Sequence, residues 1–403
     1  LIKVIRHGVL LKASKKDFES RAVLNPTCIQ KGKTIHMFYR AVDKKGHSSI
    51  GYCKLNGPLK VVMRSKKAVI KREFDFERFG VEDPRITYFN GKYYLMYSAY
   101  DGKTCRVACA ISRDLKKWKK IGIISPKISY ENAGELLRNN KYQVKERYFF
   151  FQEYIKNLVG KDVGIWDKDA FLLPQKFEGK YAMIHRVLPE IQIAYFNKFS
   201  ELKTVKYWKK YFKDFGKNIV LEPGHNYESR NIGAGAPLIK TDYGWLMIYH
   251  GVQDTNKGKV YHCSAALLDL KDPTKLIGRL EKPLFSPVEK YELMGDVNNV
   301  VFPSGTAIFG NRLYLYYGAA DKRIAVASVD LFDLLSELNE DRKIKLMSES
   351  ILEYVKNGFC DSLKLLKEKD YDDKFYYLAL GFLVGENKIK LKKAKDSYYI
   401  ELK

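Results

Sequence analysis

An all-β fold, a five-bladed β-propeller with a helical insertion and a C-terminal α-helical extension, is what three features of the 403-residue sequence predict. First, five stretches repeat one plan: a Gly-centred turn, an aromatic-rich strand and a second strand of alternating small and apolar residues. Their turns begin near Gly32, Gly91, Gly179, Tyr243 and Asn311, separated by 59, 88, 64 and 68 residues. A single antiparallel sheet cannot bury its own apolar face, whereas a ring of sheets buries every face against a neighbour, so one repeat per blade is the economical reading. Second, residues 1–330 are punctuated by hairpin signals at Asn56-Gly57, Asn90-Gly91, Asp101-Gly102 and Glu178-Gly179. Third, the apolar period changes after Leu331.

In chain order the repeats read GKTIHMFYRAVD...SSIGYCKL, GKYYLMYSAYDG...CRVACAIS, GKYAMIHRV...IQIAYF, YGWLMIYHGV...YHCSAALLDL and NRLYLYYGAADKRIAVASV. The span of about 127–165 lengthens one repeat and reads as mostly helical, a candidate lid or oligomer contact. Residues 331–403 space their apolar side chains helically, with Leu334, Leu335 and Leu338 on one face and Ile351, Leu352 and Val355 on another. Two or three helices are expected there, packed on the propeller or on another copy of the chain.

The composition, 46% hydrophobic and 30% charged, is that of a globular protein. No apolar run reaches eighteen residues, and LIKVIRHGVLLKAS is too short and too interrupted by charge for a signal peptide. The expected setting is therefore cytoplasmic, with no membrane partner. Cys28, Cys53, Cys105, Cys109, Cys263 and Cys360 fall mainly inside predicted strands and lack Cys-x-x-Cys spacing, so they read as small buried hydrophobes. A formal net charge of +25 would suit nucleic acid, but the lysines are scattered and no nucleic-acid-binding motif accompanies them. An anionic small substrate accounts for the charge equally well.

The densest polar chemistry lies in GVEDPRITYF, residues 80–89. Pro84 restrains Asp83 to an extended or turn conformation. Adjacent carboxylates on extended chain point apart, so one of Glu82 and Asp83 can protonate a leaving group while the other orients a sugar hydroxyl or pairs with Arg85. The bland alternative is an ion-paired loop cap. Basic groups recur at matching strand ends: Arg40 in MFYRAVD, Arg186 in MIHRV and His250 in MIYHGV, with Asp321 in the same register of YYGAAD. Equivalent strand ends of a propeller converge on one cavity, where guanidinium groups can bind phosphate oxygens in pairs. Lys168 and Asp169 add a cation and a carboxylate, and Asn25 an amide. One acid beside a cationic pocket specifies a reaction: the acid protonates the glycosidic oxygen while bound phosphate attacks the anomeric carbon from the opposite face, with inversion.

The motifs RAVLNPTCI, MFYRAVD, GVEDPRITYFNGKYYLMYSAYDG, KDAFLLPQKFEGKYAMIHR, NIGAGAPLIKTDYGWLMIYHGV, AALLDLKDP and VVFPSGTAIF...LYLYYGAADKRIAVA resemble, in order, those of family-130 glycoside hydrolases and phosphorylases. That family includes the β-mannoside phosphorylases and has a five-bladed propeller. The resemblance spans about residues 21–330. It implies that Asp83 is the general acid, working through the 3-hydroxyl of the mannosyl unit. It also implies that Asn25, Arg40, Asp169 and Asp321 contact the mannosyl unit or the approach to phosphate, and that Arg186, His250 and Lys168 hold phosphate. Phosphate is then co-substrate, and no metal or organic cofactor is called for.

One position departs from the pattern. A basic residue usually precedes the I-G-x-G segment, whereas this chain has Asn231, with Arg230 before it. Asn231 can donate hydrogen bonds to phosphate but carries no charge, so Arg230 would have to reach in. Family members that hydrolyse lose much of the basic pocket and use glutamates to activate water; Glu222 and Glu228 are near in sequence. The expected function is thus an inverting phosphorolysis of a β-1,4- or β-1,2-mannoside to α-mannose 1-phosphate. A β-mannosidase-type exo-hydrolase and a non-catalytic carbohydrate-binding propeller are the alternatives. The aromatic run Tyr148, Phe149, Phe150 and Phe151 lines an acceptor subsite or anchors the insertion.

Overall fold

A computed structural model of the chain describes residues 2–140, 144–160, 163–356, 360–369, 372–395 and 397–403. The chain divides into two compact units, Leu1–Leu331 and Phe332–Lys403.

The first unit is built from antiparallel sheets, and the turns predicted near Gly32, Gly91 and Gly179 are hairpins with these glycines at positive φ. Strands Ala22–Lys31, Thr34–Val42, Ser48–Asn56 and Lys60–Arg64 form one meander, and Gly80–Phe89, Lys92–Tyr100, Cys105–Ser112 and Lys119–Ile123 form the next. A single parallel pairing, Ser48 with Gly80, joins them into one eight-stranded sheet. Strands Lys168–Leu172, Tyr181–Arg186, Ile191–Phe196 and Ile219–Leu221 make a third group. A fourth comprises Asn231–Ala234, Ile239–Thr241, Gly244–Thr255, Gly258–Leu268 and Leu276–Arg279. In the last, Val301–Phe309, Arg312–Ala319 and Arg323–Asp330 are completed by the N-terminal strand Ile5–Leu11, which pairs antiparallel with Arg323–Asp330.

Apolar side chains fill the spaces between successive groups. Phe38 and Ile50 meet Ile86, Leu95 and Tyr97; Met96 and Cys109 meet Leu172, Met183 and Phe196; Phe171 and Ile184 meet Ile232, Trp245 and Met247. Val23, Met37 and Tyr39 of the first group share a core with Tyr316 and Val326 of the last. Cys53 and Cys109 are buried thiols within these cores, and Cys105 and Cys263 are buried in their strands, as their strand positions suggest.

The span 127–165 contains helices α1 (Tyr130–Arg138) and α2 (Arg147–Val159); residues 141–143 and 161–162 of it lie outside the described residues. Helix α2 buries Tyr148, Phe151, Gln152 and Ile155, an i, i+3, i+4, i+7 stripe, of which Tyr148 and Ile155 join the core shared by the third sheet group and helix α3 (Val205–Lys213). A four-residue helix α4 (Lys290–Leu293) precedes the last sheet.

The all-β expectation needs widening, because the architecture is mixed β/α. After α5 (Leu331–Glu337), the second unit comprises α6 (Glu340–Val355), α7 (Ser362–Glu368), α8 (Asp373–Gly385) and a three-stranded antiparallel sheet of Cys360–Asp361, Ile389–Lys393 and Tyr398–Leu402. The sheet corrects the all-helical expectation for residues 331–403, of which 357–359, 370, 371 and 396 lie outside the described residues. Its reason is local: Ile389 and Leu391, then Tyr398, Ile400 and Leu402, alternate with period two rather than 3.6. Ile351, Val355, Tyr376, Ala379, Leu383, Ile389 and Ile400 close a core of their own. Among the described residues no helix is long and apolar enough to cross a membrane.

Candidate active site

Three first strands of the sheet groups break register at the same place. Pairing shifts between Leu24 and Thr27, between Glu82 and Arg85, and between Lys168 and Phe171. At these bulges Asn25, Asp83 and Asp169 adopt left-handed backbone, φ +47°, +48° and +53°. Asn and Asp are the non-glycine residues that tolerate that region best, and a bulge re-aims its side chain off the sheet. The expectation of an extended or turn conformation before Pro84 thus resolves as a left-handed bulge. Asp321, φ +49°, follows strand Arg312–Ala319 in the same conformation.

These side chains line one cavity of about 350 Å³. Its wall includes Asn25, Arg40, Asp83, Lys168, Asp169, Arg186, Arg230, Asn231, His250 and Asp321, so ten residues from distant parts of the sequence converge, among them the four that share a strand-end register, Arg40, Arg186, His250 and Asp321. Glu82 is the exception: it lies behind the wall, its Oε1 accepting from Arg40 Nη2 at 2.7 Å and from Ser48 Oγ at 3.1 Å. The bulge turns Asp83 into the cavity and leaves Glu82 behind it, and the guanidinium of Arg40 spans the two. Glu82 therefore holds Arg40 from behind the wall.

Asp83 accepts from Asn25 Nδ2 at 2.8 Å and from Arg40 Nη1 at 3.4 Å, both on Oδ1. Oδ2 meets no protein donor among the described residues. Burial favours the neutral acid, but Arg40, Lys168, Asn25 and Arg85 together hold Asp83 below the usual aspartate range. Arg85, fully buried, donates to the carbonyls of Asp83, Pro84 and Gly235, which locks the bulge. Its carboxylate neighbour is Asp169 at 3.6 Å rather than the side chain of Asp83.

Asp169 also lies 3.0 Å from Arg186 Nε. This ion pair is electrostatic rather than directional, since neither Asp169 Oδ2 nor Arg186 Nε has a hydrogen-bond partner among the described residues. Arg186 Nη1 is 3.4 Å from His250 Nε2. Burial, and then Arg186 and Arg85, push His250 well below the usual imidazole range. Enclosure at 0% exposure beside two guanidinium groups favours the neutral imidazole, against the expectation of a third basic group. With Nε2 accepting from Arg186, Nδ1 carries the hydrogen.

Lys168 supplies the charge that His250 does not. Cys105 is the largest influence raising its ammonium above the usual lysine range, followed, against burial, by Glu82 and Asp83. Burial keeps Cys105 protonated up to about 11, so at neutral pH the two carboxylates are what act. Asn231 is largely buried on the wall, and its side chain makes no hydrogen bond among the described residues.

Asp321 behaves oppositely to Asp83. Burial raises it to about 6, with Arg40 opposing and Asp83 and Asp296 adding to the rise. A carboxyl raised on folding favours the folded state most when protonated, and that contribution is lost as pH rises through about 6. Asp321→Asn is therefore expected to stabilise the protein at pH 8, by on the order of 1–3 kcal/mol, and to leave it unchanged near pH 4. Thermal unfolding of both proteins across that range checks it.

The cavity also holds residues that the sequence did not single out. From the insertion come Phe151, Tyr154, Ile155 and Leu158; elsewhere Trp166, Leu188, Lys259, Tyr261, Val300 and Phe302 complete the wall. Their signals were weak: Tyr261 opens a quoted strand, and Trp166 stands two residues before Lys168. Of the aromatic run, only Phe151 reaches the cavity. Tyr148 donates to Glu190 at 2.6 Å, Phe149 packs in the helical core and Phe150 is exposed. The two glutamates near in sequence stand elsewhere. Glu222 pairs with Lys145, and Glu228, fully buried, accepts from Tyr249 and from the backbone of Gly224 and His225. Among the described residues no glutamate lines the cavity, and no cluster of His, Cys, Asp and Glu suits a metal ion.

The model of the Glyco_hydro_130 family, described as beta-1,4-mannooligosaccharide phosphorylase, matches residues 6–340. The chain belongs to this family. Among its family-130 relatives is a 1,2-beta-oligomannan phosphorylase of Thermoanaerobacter sp. (strain X514), 32% identical over 81% of this chain and 96% of that protein. A beta-1,2-mannobiose phosphorylase of the same organism is 33% identical over 82% and 97%. The solved structure of the Listeria innocua beta-1,2-mannobiose phosphorylase, in complex with beta-1,2-mannobiose, shares the fold. It has a TM-score of 0.62 at 21% identity, over 83% of this chain and 99% of that one.

Proposed function

We propose that the chain is an inverting β-mannoside phosphorylase that cleaves a β-1,2-linked mannoside with inorganic phosphate and releases α-mannose 1-phosphate. The observation that carries the reading is the cavity itself: Asp83, Lys168, Arg186 and Arg230 share its wall, and no glutamate does so among the described residues. A hydrolase of this family would call for a glutamate over the anomeric carbon. The two relatives matched over nearly their whole length both act, by name, on β-1,2 linkages, which favours that linkage over β-1,4.

In this reading the five sheet groups are blades of a closed propeller, residues 1–330. The shared core of the first and last groups and the pairing of Ile5–Leu11 with the last group support closure. Residues 331–403 form a separate extension. Asn25, Arg40, Asp169 and Asp321 hold the mannosyl unit. Lys168, Arg186 and Arg230 hold phosphate, to which Asn231 donates a hydrogen bond, while neutral His250 contributes to that pocket by backing Arg186. A phosphate oxygen attacks the anomeric carbon as the bond to the glycosidic oxygen breaks. Asp83 passes a proton through the mannosyl 3-hydroxyl to that oxygen, so the acceptor sugar leaves as a neutral alcohol.

The proton arrives as the nucleophile binds. Arg40 and Lys168 keep Asp83 ionised, and the hydrogenphosphate dianion entering beside Lys168 and Arg186 offsets those cations and raises Asp83. The overall exchange balances: Asp83 takes up a proton from solvent as phosphate binds and passes it to the leaving alcohol, while hydrogenphosphate gives its oxygen to the anomeric carbon and its own proton returns from the sugar phosphate to solvent. Comparing β-1,2-mannobiose, β-1,4-mannobiose and mannosyl-glucose at saturating phosphate tests the linkage. The β-1,2 disaccharide is expected to give the highest kcat/KM by at least tenfold, and a β-1,4 preference would overturn the assignment.

A further inference from the structure

Arg230 is held by more contacts than a rim arginine needs, and most of them come from the insertion. Its guanidinium carbon stands 4.9 Å from the ring centroid of Tyr154 and 5.6 Å from that of Phe151. One helical turn earlier, Arg147 Nη2 donates to the carbonyls of Ser229 and Arg230, the latter at 2.7 Å. Arg147, Phe151 and Tyr154 occupy positions i, i+4 and i+7 of α2, one face of the helix. From the far side Asp254 accepts from Arg230 Nη1 at 3.1 and 3.3 Å. Nη2 and Nε make no hydrogen bond among the described residues, and the side chain lines the cavity next to Asn231.

We propose that α2 is a positioning element for the phosphate subsite, its Arg147–Phe151–Tyr154 face fixing Arg230 as the cation that Asn231 does not supply. The inference rests on the phosphorylase reading for its ligand, inorganic phosphate. Its physical basis is separate. A free arginine would give up the rotamer entropy of its long side chain to meet an anion. Contact with two rings and pairing through one nitrogen remove that freedom beforehand and leave Nη2 and Nε without a partner among the described residues, on a side chain that lines the cavity. Asp254 is half-exposed, so it fixes the guanidinium without cancelling its charge. The inserted helix would then do more than cover the site.

The test compares the wild type with Arg230→Ala, Tyr154→Leu and Tyr154→Phe, measuring KM for phosphate and for mannoside separately, and the thermal stabilisation given by inorganic phosphate alone. Arg230→Ala is expected to raise KM for phosphate by tenfold or more while KM for mannoside moves less than twofold. Tyr154→Leu, which keeps apolar volume but removes the ring face, is expected to raise KM for phosphate at least threefold, and Tyr154→Phe to restore it. Unchanged KM for phosphate in Arg230→Ala or Tyr154→Leu, or an equal rise in both constants, would overturn the proposal. The binding arm separates it from the phosphorylase reading. If the wild type hydrolyses without phosphate yet is stabilised by phosphate in an Arg230- and Tyr154-dependent way, the positioning stands and the reaction is misassigned; no such stabilisation in the wild type overturns both.

Discussion

Asp83→Asn is expected to lower kcat by a factor of about 10³ or more while the protein folds as before. Asparagine keeps the shape, accepts the Asn25 and Arg40 hydrogen bonds through its remaining oxygen and tolerates φ +48° as well as aspartate does. What it cannot do is transfer a proton. Asp83→Ala makes the contrast, because it loses the same activity and also strains a left-handed position, at a cost of about 1–2 kcal/mol. Steady-state rates and thermal unfolding of the two variants separate chemistry from folding. Asp83 also contributes to pH-dependent stability in the ordinary carboxylate sense. Held below its usual range, it stabilises the fold above that range, and the contribution is lost as acid protonates it. Asp83→Asn should therefore show a shallower loss of stability on acidification.

Replacing Arg186 by alanine should raise KM for phosphate by a factor on the order of 100, equivalent to one charged hydrogen-bonded contact of roughly 3 kcal/mol. The variant should also unfold at lower temperature. Asp169, buried, would keep only the 3.6 Å contact with Arg85, and an uncompensated buried carboxylate costs about 3–5 kcal/mol. Arg186→Lys keeps the charge but not the forked reach to both Asp169 and His250, so an intermediate KM is expected. Thermal unfolding with and without phosphate reads both effects at once.

What the sequence made legible follows from what is periodic. Strand ends that repeat along the chain converge in space, and so Arg40, Arg186, His250 and Asp321 could be gathered from one register argument, while Asp83 stood out by the polar density of GVEDPR. Glu82 was misplaced because alternation says only that neighbours diverge, not which of them faces the cavity; the bulge at Asp83 decides that, and bulges leave little trace beyond an Asn or Asp. His250 was read as a cation because its charge depends on enclosure beside Arg85 and Arg186, which no local pattern records. The clamp on Arg230 was illegible for another reason. Its parts, Arg147, Tyr154 and Asp254, are brought together only when α2 lies across the sheet groups. In the C-terminal unit, short two-residue alternation was outweighed by longer helical runs, and the three-stranded sheet went unseen.

The central claim is that bound phosphate, not water, attacks the anomeric carbon from the face opposite the leaving group. Following β-1,2-mannobiose turnover by NMR, with and without inorganic phosphate, tests it most directly. The account predicts that α-mannose 1-phosphate appears from the first turnovers, in step with one equivalent of mannose, and that nothing is released without phosphate. Free mannose formed at the same rate in phosphate-free buffer, or β-mannose 1-phosphate as the initial product, would contradict it.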